Sequence, residues 1–151
     1  METRLGHIAE TPLETGPPHP IRPEWFVGQR EAKLGQLVGL SQFGVNYRTL
    51  EPGARSALRH WHEQEDEFVY LLSGELTLID ENGEHRLTAG AFVGFPAGAP
   101  NAHHLANLSS APASYLEVGT RKVGIETLRY PDDFKEPRTV ERDASGKRVE
   151  R

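Results

Sequence analysis

Apolar residues along the chain fall in short runs broken by Gly, Pro, Asn and Asp, a pattern that favours strands joined by tight turns. Gln42 to Leu50 (QFGVNYRTL) alternates as a strand does, and Glu51-Pro52-Gly53 then supplies a turn. Glu67 to Leu72 is an apolar and aromatic segment, Ser73-Gly74 interrupts it, and Glu75 to Ile79 resumes it. Within DENGE, Asn82-Gly83 is the strongest short hairpin signal, because both residues tolerate the positive φ of a type I′ turn. Further strands are expected at His85 to Thr88, Phe92 to Phe95, His103 to Leu108 and Ser114 to Val118, with a sharp corner at Pro96-Ala97-Gly98-Ala99-Pro100. About eight short strands at such spacing predict an antiparallel all-β domain, a sandwich or a barrel. Helical signal is confined to Glu31 to Leu40.

Side-chain alternation assigns faces. Val69 and Leu71 share the parity of Glu67 and point with it into the core, while Phe68, Tyr70 and Leu72 point the other way. Both sets are apolar, so this strand is expected to be covered on both sides, by a second sheet of the same chain or by a second copy.

The ends differ from this middle. Residues 1–24 contain ETPLETGPPHPIRPE, whose prolines keep the segment out of helices and sheet interiors, and predict an extended arm that lies over the domain or reaches a neighbour. Residues 131–151 carry six acidic and six basic side chains with little that is apolar after Phe134, and predict a polar, poorly ordered tail. A single domain at residues 25–130 lies between them, consistent with a length of 151 residues.

Composition narrows the chemistry. With no cysteine, disulfides, thiolate catalysis and Cys-type zinc sites are excluded, so any metal must be held by His, Asp or Glu. A formal net charge of -5 and the lack of a Lys/Arg cluster argue against nucleic acid as a partner. No apolar run reaches the length of a membrane span, and METRLGHIAE is not a secretory leader, so a cytoplasmic protein with no membrane contact is expected.

Against that background one stretch stands out: 60-HWHEQEDEFVYLL-72 sets two imidazoles and four acids beside a core strand. Residues two apart on a strand face the same way, so His60 and His62 project together about 6.6 Å apart along the chain, close enough to share one ion. Glu67 has the opposite parity, but a bulge in the polar EQED insert would return its carboxylate to the same pocket; an unbroken strand would present Asp66 instead. After the proline corner, His103 and His104 offer a further imidazole, and a strand turns one of the two inward.

Together, Gly53-x6-His60-x-His62-x4-Glu67-x6-Gly74 and Gly90-x5-Pro96-x-Gly98-x4-His103-x3-Asn107 resemble the two motifs of the cupin superfamily, over about residues 42 to 119. The 15 residues between the motifs, Glu75 to Ala89, match the short spacing of microbial members. Two gaps depart from the pattern: Gly53 to His60 is one residue longer than usual, and Asn101 stands where the family places its last histidine. His103 keeps the His-x3-Asn spacing to Asn107 and is carried over as the fourth ligand, with His104 as the alternative.

The resemblance implies a jelly-roll β-barrel with His60, His62, Glu67 and His103 on its inner wall, and often a homodimer formed by packing sheets. Three imidazoles and a carboxylate suit one divalent transition ion (Fe, Zn, Ni, Mn or Cu) with open positions for water or substrate, without choosing among them. Tyr47, Arg48, Trp61, Phe92, Phe95, Tyr115 and Glu117 are candidate pocket residues, and Arg48 or Arg59 a candidate handle for an anion. The function this implies is that of a metalloenzyme on a small organic molecule, dioxygenase-like or isomerase-like, in which Glu67 or the unused His104 assists proton transfer. The alternative is a non-catalytic cupin that binds or senses a sugar or carboxylate.

Overall fold

The computed structural model describes residues 1–149, and every strand pairing in it is antiparallel. Its strands in chain order are β1 (Gln29–Lys33), β2 (Phe43–Leu50), β3 (Trp61–His62), β4 (Glu67–Ser73), β5 (Glu75–Asp80), β6 (Gly83–Thr88), β7 (Phe92–Phe95), β8 (His104–Ala106), β9 (Ala113–Thr120), β10 (Gly124–Arg129), β11 (Arg138–Arg142) and β12 (Arg148–Val149). They form a five-stranded sheet in the order β1-β2-β9-β4-β7, a three-stranded sheet β6-β5-β8 and a four-stranded sheet β12-β11-β10-β3. This is the jelly-roll arrangement expected from the sequence. Among the described residues, no helix is long and apolar enough to cross a membrane.

Alternation builds the core as the pattern implies. Val69 and Leu71 of β4 are 2% and 0% exposed, whereas Phe68, Tyr70 and Leu72 are each about 40% exposed on the outer face. The inner residues pack with Leu50, Leu76, Leu78, Phe95, Leu105 and Tyr115 into one cluster between the sheets. Among the described residues, no segment covers the outer side of β4 closely enough to bury Phe68 and Tyr70, so the expected cover on both faces is met on one only.

The Asn82-Gly83 hairpin forms, with a different turn. Asp80 pairs with Gly83 across β5 and β6, and the positive φ of the turn falls on Gly83 alone at 110°. Asp80 Oδ1 accepts the Asn82 N–H at 2.9 Å, which holds Asn82 in an ordinary negative-φ turn and leaves the left-handed position to glycine.

Two segments depart from expectation, Glu31 to Leu40 and the region after residue 130. Glu31 to Leu40 holds a strand end, β1, and a single helical turn at Leu34–Leu37 rather than a longer helix. The N-terminal arm touches the domain where Glu14 bridges Glu31, and His19 stacks on Phe26 at 4.5 Å between ring centres. Within residues 131–149 the polar region is not a loose tail, and residues 150 and 151 lie outside the described residues. Five residues, Arg138 to Arg142, pair with β10 in full register, because Arg142 buries its guanidinium against Glu65 and Val140 turns inward.

Candidate metal centre

His60 and His103 sit directly opposite each other in an antiparallel bridge, their backbones exchanging hydrogen bonds of 3.2 and 3.0 Å. Opposed residues share a face of a sheet, so both imidazoles point inward, with ring centres 5.3 Å apart. The same rule sends His104 outward. Its Nδ1–H donates to the Ala57 carbonyl at 2.9 Å, Arg55 lies 3.0 Å from Nε2, and Trp25 meets the ring edge-on. His104 is therefore remote from the cluster, and the proton-transfer role considered for it does not fit its surroundings.

His62 joins from β3, with its ring centre 5.0 Å from that of His60. The acidic insert does bend the chain so that Glu67, the first residue of β4, faces the imidazoles. Its Oε2 lies 3.4 Å from His62 Nε2 and its Oε1 3.2 Å from His103 Nε2. Asp66 turns away and accepts the Ala97 N–H at 2.7 Å. Ligand atoms of His60, His62 and Glu67 all lie within 4.8 Å of one another.

The hydrogen bonds behind the rings indicate what the centre is built to hold. His60 Nδ1 lies 2.7 Å from the Leu58 carbonyl and His103 Nδ1 lies 2.9 Å from the Asn101 carbonyl. A carbonyl only accepts, so each Nδ1 carries a proton, and each Nε2 is the ring nitrogen turned toward the cavity and available to a ligand. His103 Nε2 lies 3.2 Å from a Glu67 carboxylate oxygen, a contact that either a proton on Nε2 or a cation between the two atoms satisfies. The donor set thus fits a borderline divalent ion. Phe95 stacks flat under His103, 3.4 Å between centres, and fixes the ring plane.

Electrostatics follow the same division. Burial drives the His60 imidazole down to about 4, so it stays neutral and free to ligate. For His62 burial also opposes the charged form, but Glu67, Glu126 and Glu65 outweigh it and raise the pKa. Burial would raise Glu67, yet its contacts with His103 and His62 hold it well below the usual carboxylate range.

Two groups behind the cluster had no sequence signal. Glu126 of β10 is 2% exposed, accepts the Gln64 N–H at 3.2 Å and lies 3.3 Å from His62 Nδ1, off the line for a hydrogen bond. Burial raises its pKa. Arg142 of β11 grips Glu65 through two bonds of 2.7 and 3.2 Å, and Glu65 stands 4.0 Å from His62 Nδ1. Glu65 is thus a buried ion-pair partner rather than a solvated loop acid.

The cluster opens into a cavity of about 1110 Å³. Of the residues proposed from sequence, Arg48 and Glu117 line it, while Tyr115 and Phe95 belong to the core and Phe92 lies on the outer surface. Trp61 packs under Arg129 instead, and Tyr47 is outside the lining. Arg48 is held by Glu117 at 3.3 Å and Glu31 at 3.7 Å, and Arg59 by Asp132 at 2.8 Å and Glu81 at 3.0 Å, so neither arginine is free for an anion. Tyr130, whose ring lies 5.4 Å from that of His60, and Phe134 line the wall in their place.

Comparison with known proteins agrees with this architecture. The family profile described as "Cupin domain" matches residues 46–119. A sugar phosphate isomerase from a cupin superfamily, from Silicibacter pomeroyi, is 42% identical, with a TM-score of 0.80 over 93% of this chain and 87% of that one. A putative sugar phosphate isomerase from Acidithiobacillus ferrooxidans is 30% identical, with a TM-score of 0.74 over 93% and 83%. A predicted oxalate decarboxylase from Thermotoga maritima shares the fold at 21% identity and a TM-score of 0.61 over 77% of this chain and 97% of that one. Among curated proteins there is no significant match. With the β-barrel, the motif order and the 42% identical cupin neighbour in agreement, the chain belongs to the cupin superfamily.

Proposed function

We propose that this protein is a metal-dependent isomerase that interconverts the aldose and ketose forms of a small phosphorylated sugar. The observation that carries the reading is the pairing, in one cavity, of an imidazole and carboxylate cluster with cations that lack carboxylate partners. Arg48 and Arg142 are neutralised by Glu117 and Glu65, but among the described residues no carboxylate pairs with Lys33, Arg121, Arg138 or Lys147. In a chain of net charge -5, that local excess attracts an anionic ligand. The two neighbours described as sugar phosphate isomerases support the same choice of substrate.

His60, His62, Glu67 and His103 would hold the ion, which when bound supplies Lewis-acid polarisation of the sugar's oxygens. The chain's own groups do the rest. Isomerisation breaks the C2–H bond of the aldose and forms a C1–H bond, while a proton moves from the C2 hydroxyl to O1, so no oxidant is needed. Among the carboxylates that line the cavity, Glu67 faces imidazoles rather than an arginine or a backbone amide, and with one oxygen on the ion its other oxygen is the one placed to accept the carbon-bound proton. Tyr130 and Phe134 restrict water at the wall above His60.

The test is proton exchange. Metal-loaded protein incubated in D2O with pentose and hexose phosphates should place deuterium at C1 or C2 by NMR, and Glu67→Gln should abolish it. Absence of exchange on every sugar phosphate, by protein shown to carry its ion, refutes the isomerase. Binding without exchange would point instead to the non-catalytic small-molecule cupin.

A further inference from the structure

We propose that Arg121 anchors the phosphate of the substrate, about two strand spacings along the inner sheet from Glu67. This inference rests on the reading that the substrate is a phosphorylated sugar, and adds where its phosphate is held.

The inner face of the five-stranded sheet has a gap in its side chains. Glu67 on β4 pairs with Gly119 on β9, and Gly119 pairs with Gly44 on β2, so one row across the sheet reads Glu67, Gly119, Gly44. Paired residues face the same side, which places both glycines on the inner floor next to the metal centre. With strands about 4.8 Å apart, Gly44 lies roughly 10 Å from Glu67 along that row, a gap of the order of an extended sugar phosphate. The bare floor is used. The Arg121 guanidinium lies over Gly44, where an added Cβ would collide with its carbon and one of its terminal nitrogens. A Cβ at Gly119 would stand 3.2 Å from the Asp66 carbonyl oxygen.

Arg121 is half-buried, and among the described residues it makes no side-chain hydrogen bond or ion pair. The nearby carboxylates are committed elsewhere, Glu65 to Arg142 and Glu117 to Arg48. A guanidinium partly withdrawn from water, next to a second arginine and short of acceptors, is matched by an incoming oxyanion. Burial and the adjacent Arg142 both disfavour its charge in the free protein, a cost that a bound phosphate would remove. Lys147 and Arg138, exposed at the rim of the same cavity, would add attraction at longer range.

Titration of the full-length protein with inorganic phosphate at low ionic strength, followed by calorimetry, tests the assignment. Arg121→Gln should weaken binding by about tenfold or more, the effect of losing charge-assisted bonds to an anion. Gly44→Ala keeps the charge but displaces the guanidinium, and should weaken binding as well; its backbone φ is ordinary, so the variant folds even if Arg121→Gln does not. His60→Ala with His62→Ala should leave phosphate binding in place, which separates this site from the metal centre. Unchanged affinity in Arg121→Gln or Gly44→Ala, or loss of binding in the double histidine variant, would overturn the proposal. Phosphate binding that follows this pattern without any deuterium exchange in sugar phosphates would refute the isomerase and leave the anion site standing.

Discussion

Glu126 offers the sharpest test of how the metal centre is held. Its carboxylate is buried behind His62, with Oε1 3.3 Å from Nδ1 and Oε2 without a hydrogen-bond partner. If His62 ligates through Nε2, the ring must carry its proton on Nδ1, and Glu126 is the acceptor nearest to that proton, ahead of Glu65 at 4.0 Å. Glu126→Gln preserves volume and replaces a negative acceptor with a neutral amide. Loss of such an outer partner typically lowers metal affinity 10- to 100-fold, and because Glu65 still places a second carboxylate near Nδ1 the lower end, about tenfold, is expected here. Competition against a chromophoric chelator gives the affinity, and thermal unfolding of the metal-free variant shows whether the fold persists. Affinity within about twofold of the original, in a folded variant, would refute the claim that Glu126 orients His62.

Three further outcomes follow from the structure. Arg142→Leu leaves the Glu65 charge buried without its partner, so stability should drop by about 3–5 kcal/mol in chemical denaturation, and Glu65→Gln with Arg142→Leu together should recover most of it. His104, 4% exposed, has its pKa lowered to about 4 by burial, against about 6.5 when unfolded. Below pH 6.5 the unfolded chain therefore takes up a proton that the folded one refuses, so stability falls as pH drops from 6.5 toward 4, by about 3 kcal/mol at most. His104→Gln should make the plot of unfolding free energy against pH shallower across that window, leaving the part due to His60, and an unchanged slope would count against the assignment. Lastly, we propose that two copies pair through the outer face of the five-stranded sheet, where Phe68 and Phe92 stack at 6.2 Å with 40% and 70% of their surfaces exposed. Light scattering should give twice the chain mass, and Phe68→Asp with Phe92→Asp should reduce it to one; a wild-type monomer would refute the pairing.

The part of this molecule that was legible in its sequence is the part whose information is local. Alternation in β4 assigned Val69 and Leu71 to the core, and His-x-His placed two imidazoles on one side because strand parity has a range of two residues. Spacing in the second motif favoured His103 over His104 without a physical reason. That reason is the bridge between His60 and His103, which opposes two residues 43 positions apart and so decides which of an adjacent pair turns inward. Glu126 and Arg142 gave no signal at all. Each looks like an ordinary charge on a polar strand until β10 and β11 carry them behind His62, Arg142 meeting Glu65 at a separation of 77 residues.

The same separation explains why residues 138–149 pair into the sheet in spite of their polar composition. Low apolar content predicts disorder only when the charges remain in water; here Arg142 is 5% exposed and its partner is a buried acid of the metal loop. The acids of EQED and the bases of the C-terminal strands are complementary halves of one support: Glu63 binds Arg129, Gln64 binds the Glu126 carboxylate and the Thr127 amide, and Glu65 binds Arg142. The polar insert that looked like a solvated turn is therefore held at three successive residues by β10 and β11. That attachment is what keeps the bend before Glu67 in place, and with it the carboxylate that the three imidazoles face.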